Sequence, residues 1–340
     1  MEYELRQQVI EPRRHTFQHL IDRYGDKPAS RYEEGSIDVQ PTENFHYRPL
    51  WDPEHELYDE TYSALRLDDP YTYRDPRQYY YATYVTARAG LHDAFGKTVD
   101  YLGQRDLLSR MPQEWQKLLG DLVLPLRHYE SGGQLLSVNG ARFAYGTTVE
   151  QCLTYAAFDR IGNAQMLSRV GITLGEGTAE LLVSAKKSWI ENPALQGLRR
   201  LIEELLVEQD WAVQTIGLDL ADRMLYPLLY QHLDEAALLG GAGAYSLVGQ
   251  HFGTWFTDHR RWLDALITAW LNDPVHADNN RRELDAIVAR WLPQAQAAVA
   301  DLADAVDALV DAGAKDAVAR STAELTATLT GAGLTVGGKA

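Results

Sequence analysis

Residues 244–271 read AYSLVGQHFGTWFTDHRRWLDALITAWL. Phe252, Trp255, Phe256, His259, Trp262, Leu263, Leu266, Ile267 and Trp270 recur at steps of three and four. On a helix that spacing lines them along one side, while Asp258, Arg260, Arg261 and Asp264 fall off the stripe. The stretch is therefore a long amphipathic helix, and its neighbours repeat the pattern. Helical periodicity places further elements at about 113–129, 133–173, 178–190, 194–208, 210–234, 280–311 and 315–329. Another helix is expected to open at Asp75-Pro76, with Asp as cap and Pro in the first turn. Along it Tyr80, Tyr84, Ala87, Leu91, Phe95, Thr98 and Leu102 keep the same steps. Pro125 and Pro227 fall inside helical patterns and should kink or break them. Strand alternation is not sustained anywhere, and long helices with short connections indicate an all-α bundle.

Residues 1–74 differ. They hold six prolines and lack helix-length periodicity, which reads as an extended arm with short turns. The arm is too apolar for a disordered tail, since it carries Phe45, Tyr47, Leu50, Trp51, Tyr58, Tyr62, Leu65 and Leu67. It needs a surface to lie on, its own or a partner's. The expected division is an N-terminal arm over 1–74, a helical bundle over 75–312, and an Ala-rich C-terminal helix with a frayed tail over 313–340.

The chain has 340 residues, with 48 acidic against 32 basic side chains and a formal charge of −16. That balance argues against nucleic acid or an anionic membrane, because phosphates need Lys and Arg to replace their counterions. Cys152 is the only cysteine, so an intrachain disulfide and a cysteine-rich zinc site are both excluded. No apolar run approaches the roughly 18 residues that span a bilayer. The start of the chain lacks the apolar stretch of a signal peptide. A soluble cytoplasmic protein is the expectation.

One motif raises metal chemistry. Glu43-Asn44-Phe45-His46 is a Glu-x-x-His pair, the spacing of carboxylate-bridged di-iron sites. Such a site needs two pairs on helices and one further Glu from each of two others. Only this one pair occurs in the chain, flanked by Pro41 and Pro49, where no long helix fits. Phe256-Thr257-Asp258-His259 has the His but no Glu, Glu150-Gln151-Cys152-Leu153 the Glu but no His, and Asp273-Pro274-Val275-His276 lies at a helix break. No metal ligand or catalytic residue is assigned. Gly90 to Gly96-Lys97-Thr98 is one residue too long for a phosphate loop and has no strand before it. Cys152 reads as a packing residue and His259 as a hydrogen-bonded core histidine.

Several longer stretches carry a resemblance. GDKPASRYEE (25–34), NFHYRPLWDPEHELYD (44–59), DPRQYYYATYVTARA (75–89), DRIGNAQMLSRVG (159–171), QGLRRLIEELLVEQDW (196–211) and DHRRWLDAL (258–266) resemble the β-type hydroxylase subunit of soluble bacterial multicomponent di-iron monooxygenases. They are most similar to the phenol hydroxylase type, from about residue 10 to 310. The resemblance implies a ferritin-like helical bundle without a metal site. It implies no cofactor in this chain, with a di-iron centre in a large partner subunit. It also implies a small third subunit, a coupling protein, and a reductase carrying FAD and a 2Fe-2S cluster that draws electrons from NADH. The chain would be a structural subunit of an enzyme that oxidises phenol or a similar small aromatic with O2. Propane, ketone or toluene oxidation, or a scaffold unrelated to oxygenases, are the alternatives. Tyr47, Arg48, Pro49, Leu50, Trp51, Tyr79 and Tyr81 are the candidate partner contacts.

Overall fold

The computed structural model describes residues 15–41 and 52–336. Glu43, His46 and the proposed contacts Tyr47, Arg48, Pro49, Leu50 and Trp51 lie outside the described residues. Among the described residues all regular structure is helical. Two short helices, α1 (Gln18–Tyr24) and α2 (Arg31–Ser36), precede α3 (Tyr81–Gln104), α4 (Gln113–Leu118), α5 (Arg127–Phe143) and α6 (Thr147–Leu174). Then come α7 (Glu180–Glu191), α8 (Pro193–Leu206), α9 (Trp211–Pro227) and α10 (Leu233–Leu239). The last three are α11 (Gly243–Leu271), α12 (Ala277–Val310) and α13 (Ala314–Gly331).

Helices α5, α6, α9 and α11 form the centre. Helix α3 covers α6 and α11, while α8 and α12 cover α5 and α9. Local chemistry sets these elements. Asn192 caps α8 by accepting from the Ala194 amide at 3.1 Å, and Pro193 opens the helix where no N–H is needed. Leu195, Leu198, Leu201, Ile202 and Leu205 then make its buried stripe. The tryptophan stripe of α11 is buried as its periodicity predicts, Trp255, Trp262 and Trp270 each at 2 % exposure or less.

Three boundaries depart from the sequence reading, while Pro125 and Pro227 interrupt the helices as expected. The helix expected from Asp75 begins at Tyr81. Asp75 accepts from the Arg77 amide at 2.9 Å and grips the Arg77 guanidinium at 2.9 Å, which closes a turn instead of opening a helix. Helical structure runs from 113 to 143 through a π turn at Leu119–Val123 and a 3-10 turn at Leu124–Leu126, with no gap at 130–132. Pro125 sits in that 3-10 turn, where its missing N–H is accommodated. The break comes instead at 144–146, where Gly146 has φ +96° and a Cβ would lie 2.5 Å from Pro70. Pro227 ends α9, and a π turn at Leu228–His232 leads into α10.

The described parts of the arm lie on the chain's own bundle. Tyr62 stacks on Phe143 with centroids 4.5 Å apart. Asp210, which caps α9 at the Ala212 amide, also accepts from the Ala64 amide at 2.8 Å and the Ser63 hydroxyl at 3.1 Å. The Asp68 amide donates to Asp273 at 2.8 Å, and the Tyr73 hydroxyl to the Trp262 carbonyl at 3.1 Å. Asn280 is fully buried; it accepts from the Arg66 amide at 2.9 Å and donates to the Arg66 and Trp270 carbonyls at 2.7 and 2.8 Å. Residues 60–75 thus act as a strap, held by side chains at helix ends.

Asn280→Ala leaves several buried backbone groups without partners, each costing about 1–3 kcal/mol. Urea unfolding should show a loss of about 3 kcal/mol, with faster proteolysis inside 60–75. A change below about 0.5 kcal/mol would show that the strap is held by its apolar contacts alone.

Candidate functional site

The centre of the bundle holds a closed charge cluster. Arg160 on α6 has a side chain 1 % exposed. Its Nη1 donates to Glu130 on α5 at 3.2 Å and to Asp222 on α9 at 3.4 Å, and its Nη2 pairs with the other Asp222 oxygen. The Tyr129 hydroxyl donates to Asp222 at 2.7 Å and the Tyr226 hydroxyl to Glu130 at 2.6 Å. The guanidinium lies 5.1 Å from the Trp255 ring centroid and 5.8 Å from that of Tyr226, so a cation between two anions is also faced by aromatic rings. Burial alone would lower the Arg160 pKa; Asp222 and Glu130 outweigh it and hold the group charged.

The donor set does not fit a di-iron cluster. Di-iron bundles take one acid from each of two helices and a Glu-x-x-His pair from each of the other two. Here the acids that meet Arg160 are Glu130 on α5 and Asp222 on α9, while α6 offers Arg160-x-x-Asn163 and α11 offers Phe256-x-x-His259. Both acids are already paired to Arg160, and a metal ion between them would face a guanidinium. Gly133, three residues after Glu130, leaves the room that Arg160 fills: a Cβ there would lie 3.3 Å from Arg160 Cδ and Nε. Among the described residues no three His, Cys, Asp or Glu side chains are grouped to hold a metal. His259 accepts from the Trp262 indole at 3.4 Å, and its burial, reinforced by Arg160 and other nearby arginines, keeps it neutral.

A second network fixes the start of α3. Arg88 binds Asp159 through two 2.7 Å contacts and Asp258 at 2.8 Å, and Tyr84 donates to Asp159 at 2.8 Å. Tyr79 lies between two guanidinium groups, Arg77 at 4.7 Å and Arg88 at 5.4 Å from its ring, and donates to Asp258 at 3.4 Å. Cys152 is buried beneath this network, 3.4 Å from the Tyr73 hydroxyl and 3.5 Å from Asp75; burial, with Asp75 beside it, raises its thiol pKa and keeps it protonated. Outside the network several apolar side chains are exposed. Tyr81, 69 % exposed, and Val85 project from α3, Phe158 and Ile161 from α6, Leu135 and Val138 from α5.

Known proteins resemble this chain along most of its length. The family described as Methane/Phenol/Alkene Hydroxylase matches residues 51–274. The oxygenase component DmpL of phenol 2-monooxygenase from Pseudomonas sp. strain CF600 is 39 % identical over 305 residues, 89 % of this chain and 91 % of that one. The chain belongs to the methane/phenol/alkene hydroxylase family. A chain of the xenon-pressurized phenol hydroxylase of Pseudomonas sp. OX1 superposes with a TM-score of 0.90 at 36 % identity, covering 98 % of this chain and 100 % of that one. The β subunit of the toluene-4-monooxygenase hydroxylase from Ectopseudomonas mendocina is 24 % identical over 222 residues, 62 % of this chain and 66 % of that one. The resemblance to the β-type hydroxylase subunit, nearest the phenol type, and the all-helical fold it implied are therefore borne out.

Within this hydroxylase-family chain, the structure separates the two described candidates for partner contact. Tyr79 is held within the ionic network, whereas Tyr81 is free at the surface. Sequence reasoning missed Arg160 altogether. The usable signal was its place beside Asn163 at the i, i+3 spacing where an acid and a histidine belong.

Arg160→Leu leaves two uncompensated buried carboxylates, a change that typically costs 3–5 kcal/mol. Denaturant titration should show a loss of about that size, and a loss under about 1 kcal/mol would contradict the central role given to this ion cluster. His259 gives a pH test. The folded chain holds it neutral, while the unfolded chain takes up a proton below about pH 6.5. Its neutral ring therefore stabilises fully above that pH, and the contribution falls as pH drops below it. His259→Gln should flatten the stability–pH profile between pH 6.5 and 5 by up to about 1.4 kcal/mol per pH unit; an unchanged slope would show that the ring protonates in the fold.

Proposed function

We propose that this chain is the non-catalytic β-type oxygenase component of a multicomponent phenol 2-monooxygenase. The observation that carries the reading is the bundle centre. A charged guanidinium stands between Glu130 and Asp222, and the described helices there carry no Glu-x-x-His pair. Identity of 39 % along nearly the whole length to a phenol 2-monooxygenase oxygenase component, against 24 % to a toluene-4-monooxygenase subunit, favours phenol over toluene chemistry.

In this reading the di-iron centre and substrate pocket belong to a large hydroxylase subunit. A small third subunit completes the hydroxylase, a coupling protein controls it, and a reductase with FAD and a 2Fe-2S cluster delivers electrons from NADH. The chain works in the cytoplasm without nucleic acid or membrane. Among the described residues no helix is long and apolar enough to cross a bilayer, which agrees with this. Tyr81 and the exposed apolar side chains of α3, α5 and α6 face the large subunit, together with Tyr47, Arg48, Pro49, Leu50 and Trp51. Tyr79 serves that face indirectly, by fixing the chain just before α3. The rigid bundle gives the large subunit a preorganised surface and leaves the chemistry to its partner.

Reconstitution tests this. The chain alone should contain no stoichiometric iron and hydroxylate nothing. Mixed with the large subunit, third subunit, coupling protein and reductase, it should be required for full phenol turnover. About two irons in the isolated chain, or full turnover without it, would overturn the proposal.

A further inference from the structure

Arginines in the interior of this protein come with acids. Arg77 pairs with Asp75, Arg88 with Asp159, Arg160 with Glu130 and Asp222, and Arg223 and Arg260 with Asp219. Arg127, at the start of α5, does not. Its one hydrogen bond goes from Nη1 to the Ser168 hydroxyl at 3.3 Å, and its buried Nε has no partner. No carboxylate among the described residues acts on it; burial alone shifts its pKa, downward. The neighbouring His128 also has a buried Nε2 without a partner, and its burial holds the ring neutral, with a pKa near 4. Both side chains line a groove of about 220 Å³ between α5 and α6, together with Ser131, Ile161 and Ser168. A half-buried guanidinium left without an anion is costly in a chain with 48 acidic residues to choose from.

We infer that this groove receives a carboxylate side chain of the large hydroxylase subunit, with Arg127 as its anchor. The inference rests on the β-subunit reading above and deepens it. Two features favour a protein carboxylate over a free anion. Ile161 belongs both to the groove and to the exposed apolar surface with Leu135, Val138 and Phe158, so whatever fills the groove continues onto an apolar contact. The chain's net charge of −16 repels an acidic partner in general. A half-buried cation with no carboxylate among the described residues is then a register mark, because an alignment that brings the partner's acid to it supplies the missing counter-charge. A carboxylate there completes the guanidinium's planar fork.

The test is capture of the large subunit by the full-length chain, read as a dissociation constant. Arg127→Gln should weaken capture by about 30-fold or more, the usual result of removing one member of a desolvated charge pair at an interface. Arg169→Gln, an exposed arginine on α6 lying 3.9 Å from Asp100, is the control and should stay within about 3-fold. Ser131→Glu puts an acid one turn from Arg127 and pairs with it internally. This variant should melt no lower than the parent yet capture about 10-fold more weakly. Arg127→Gln that captures normally overturns the inference. So does phosphate that raises the melting temperature of the parent but not of Arg127→Gln while capture is unchanged, which would mark a small-anion site. Self-association of the chain that Arg127→Gln abolishes, with capture unchanged, would assign the groove to a second copy and overturn it equally. A parent chain that captures no large subunit at all overturns the β-subunit reading itself, an outcome distinct from a failure confined to Arg127.

Discussion

The structure depends on one buried cation. Arg160 lies where α5, α6, α9 and α11 converge, and its guanidinium is the common partner of Glu130 and Asp222. Removing charges from water is unfavourable, and each member is tolerable only while the others are present. Tyr129 and Tyr226 complete the arrangement by donating to the same acids. The four helices therefore have one register that satisfies every member. The glycine at 133 is part of the same constraint, because a side chain there would meet the Arg160 stem.

The same logic bears on metal binding. A di-iron centre needs acids and histidines aimed at one point, with their negative charge balanced by the metal. Here the balancing charge is covalently part of the chain. The bundle keeps its packing without depending on metal supply, and its acids are no longer available as ligands. A subunit of this kind contributes shape and surface. That agrees with a family in which this chain aligns over nearly its whole length with an oxygenase component of phenol 2-monooxygenase.

Polar side chains at helix ends carry the rest of the organisation. Asp210 caps α9 and holds the strap; Asn280, beneath the end of α11, holds it again. The Arg77–Asp75 and Arg88–Asp159–Asp258 pairs fix the chain entering α3. These inward contacts hold the paired charges, while Tyr81, Val85, Leu135, Val138, Phe158 and Ile161 are exposed on α3, α5 and α6. Arg127, at the start of α5, is a half-buried cation to which no described residue supplies an acid.

Legible in the sequence alone were the all-helical class, the buried stripe of α11, the absence of a second Glu-x-x-His pair and the kinship with β-type hydroxylase subunits. These follow from periodicity, which is local, and from motifs, which are explicit. Tertiary structure decided what local pattern cannot carry. A break was expected at 130–132, but those residues lie inside α5, where Ile202 packs against Gly132 and Arg160 against Gly133. Asp75 had the form of a helix cap, yet Arg77 claimed it and moved the start of α3 to Tyr81. The arm's surface was undecided between the chain and a partner; for residues 60–75 it is the chain, through side chains more than 140 positions away. Arg160 showed the limit most clearly. In the linear sequence it is one charged residue in an amphipathic helix, and only the convergence of three other helices makes it the counter-ion that the bundle is built around.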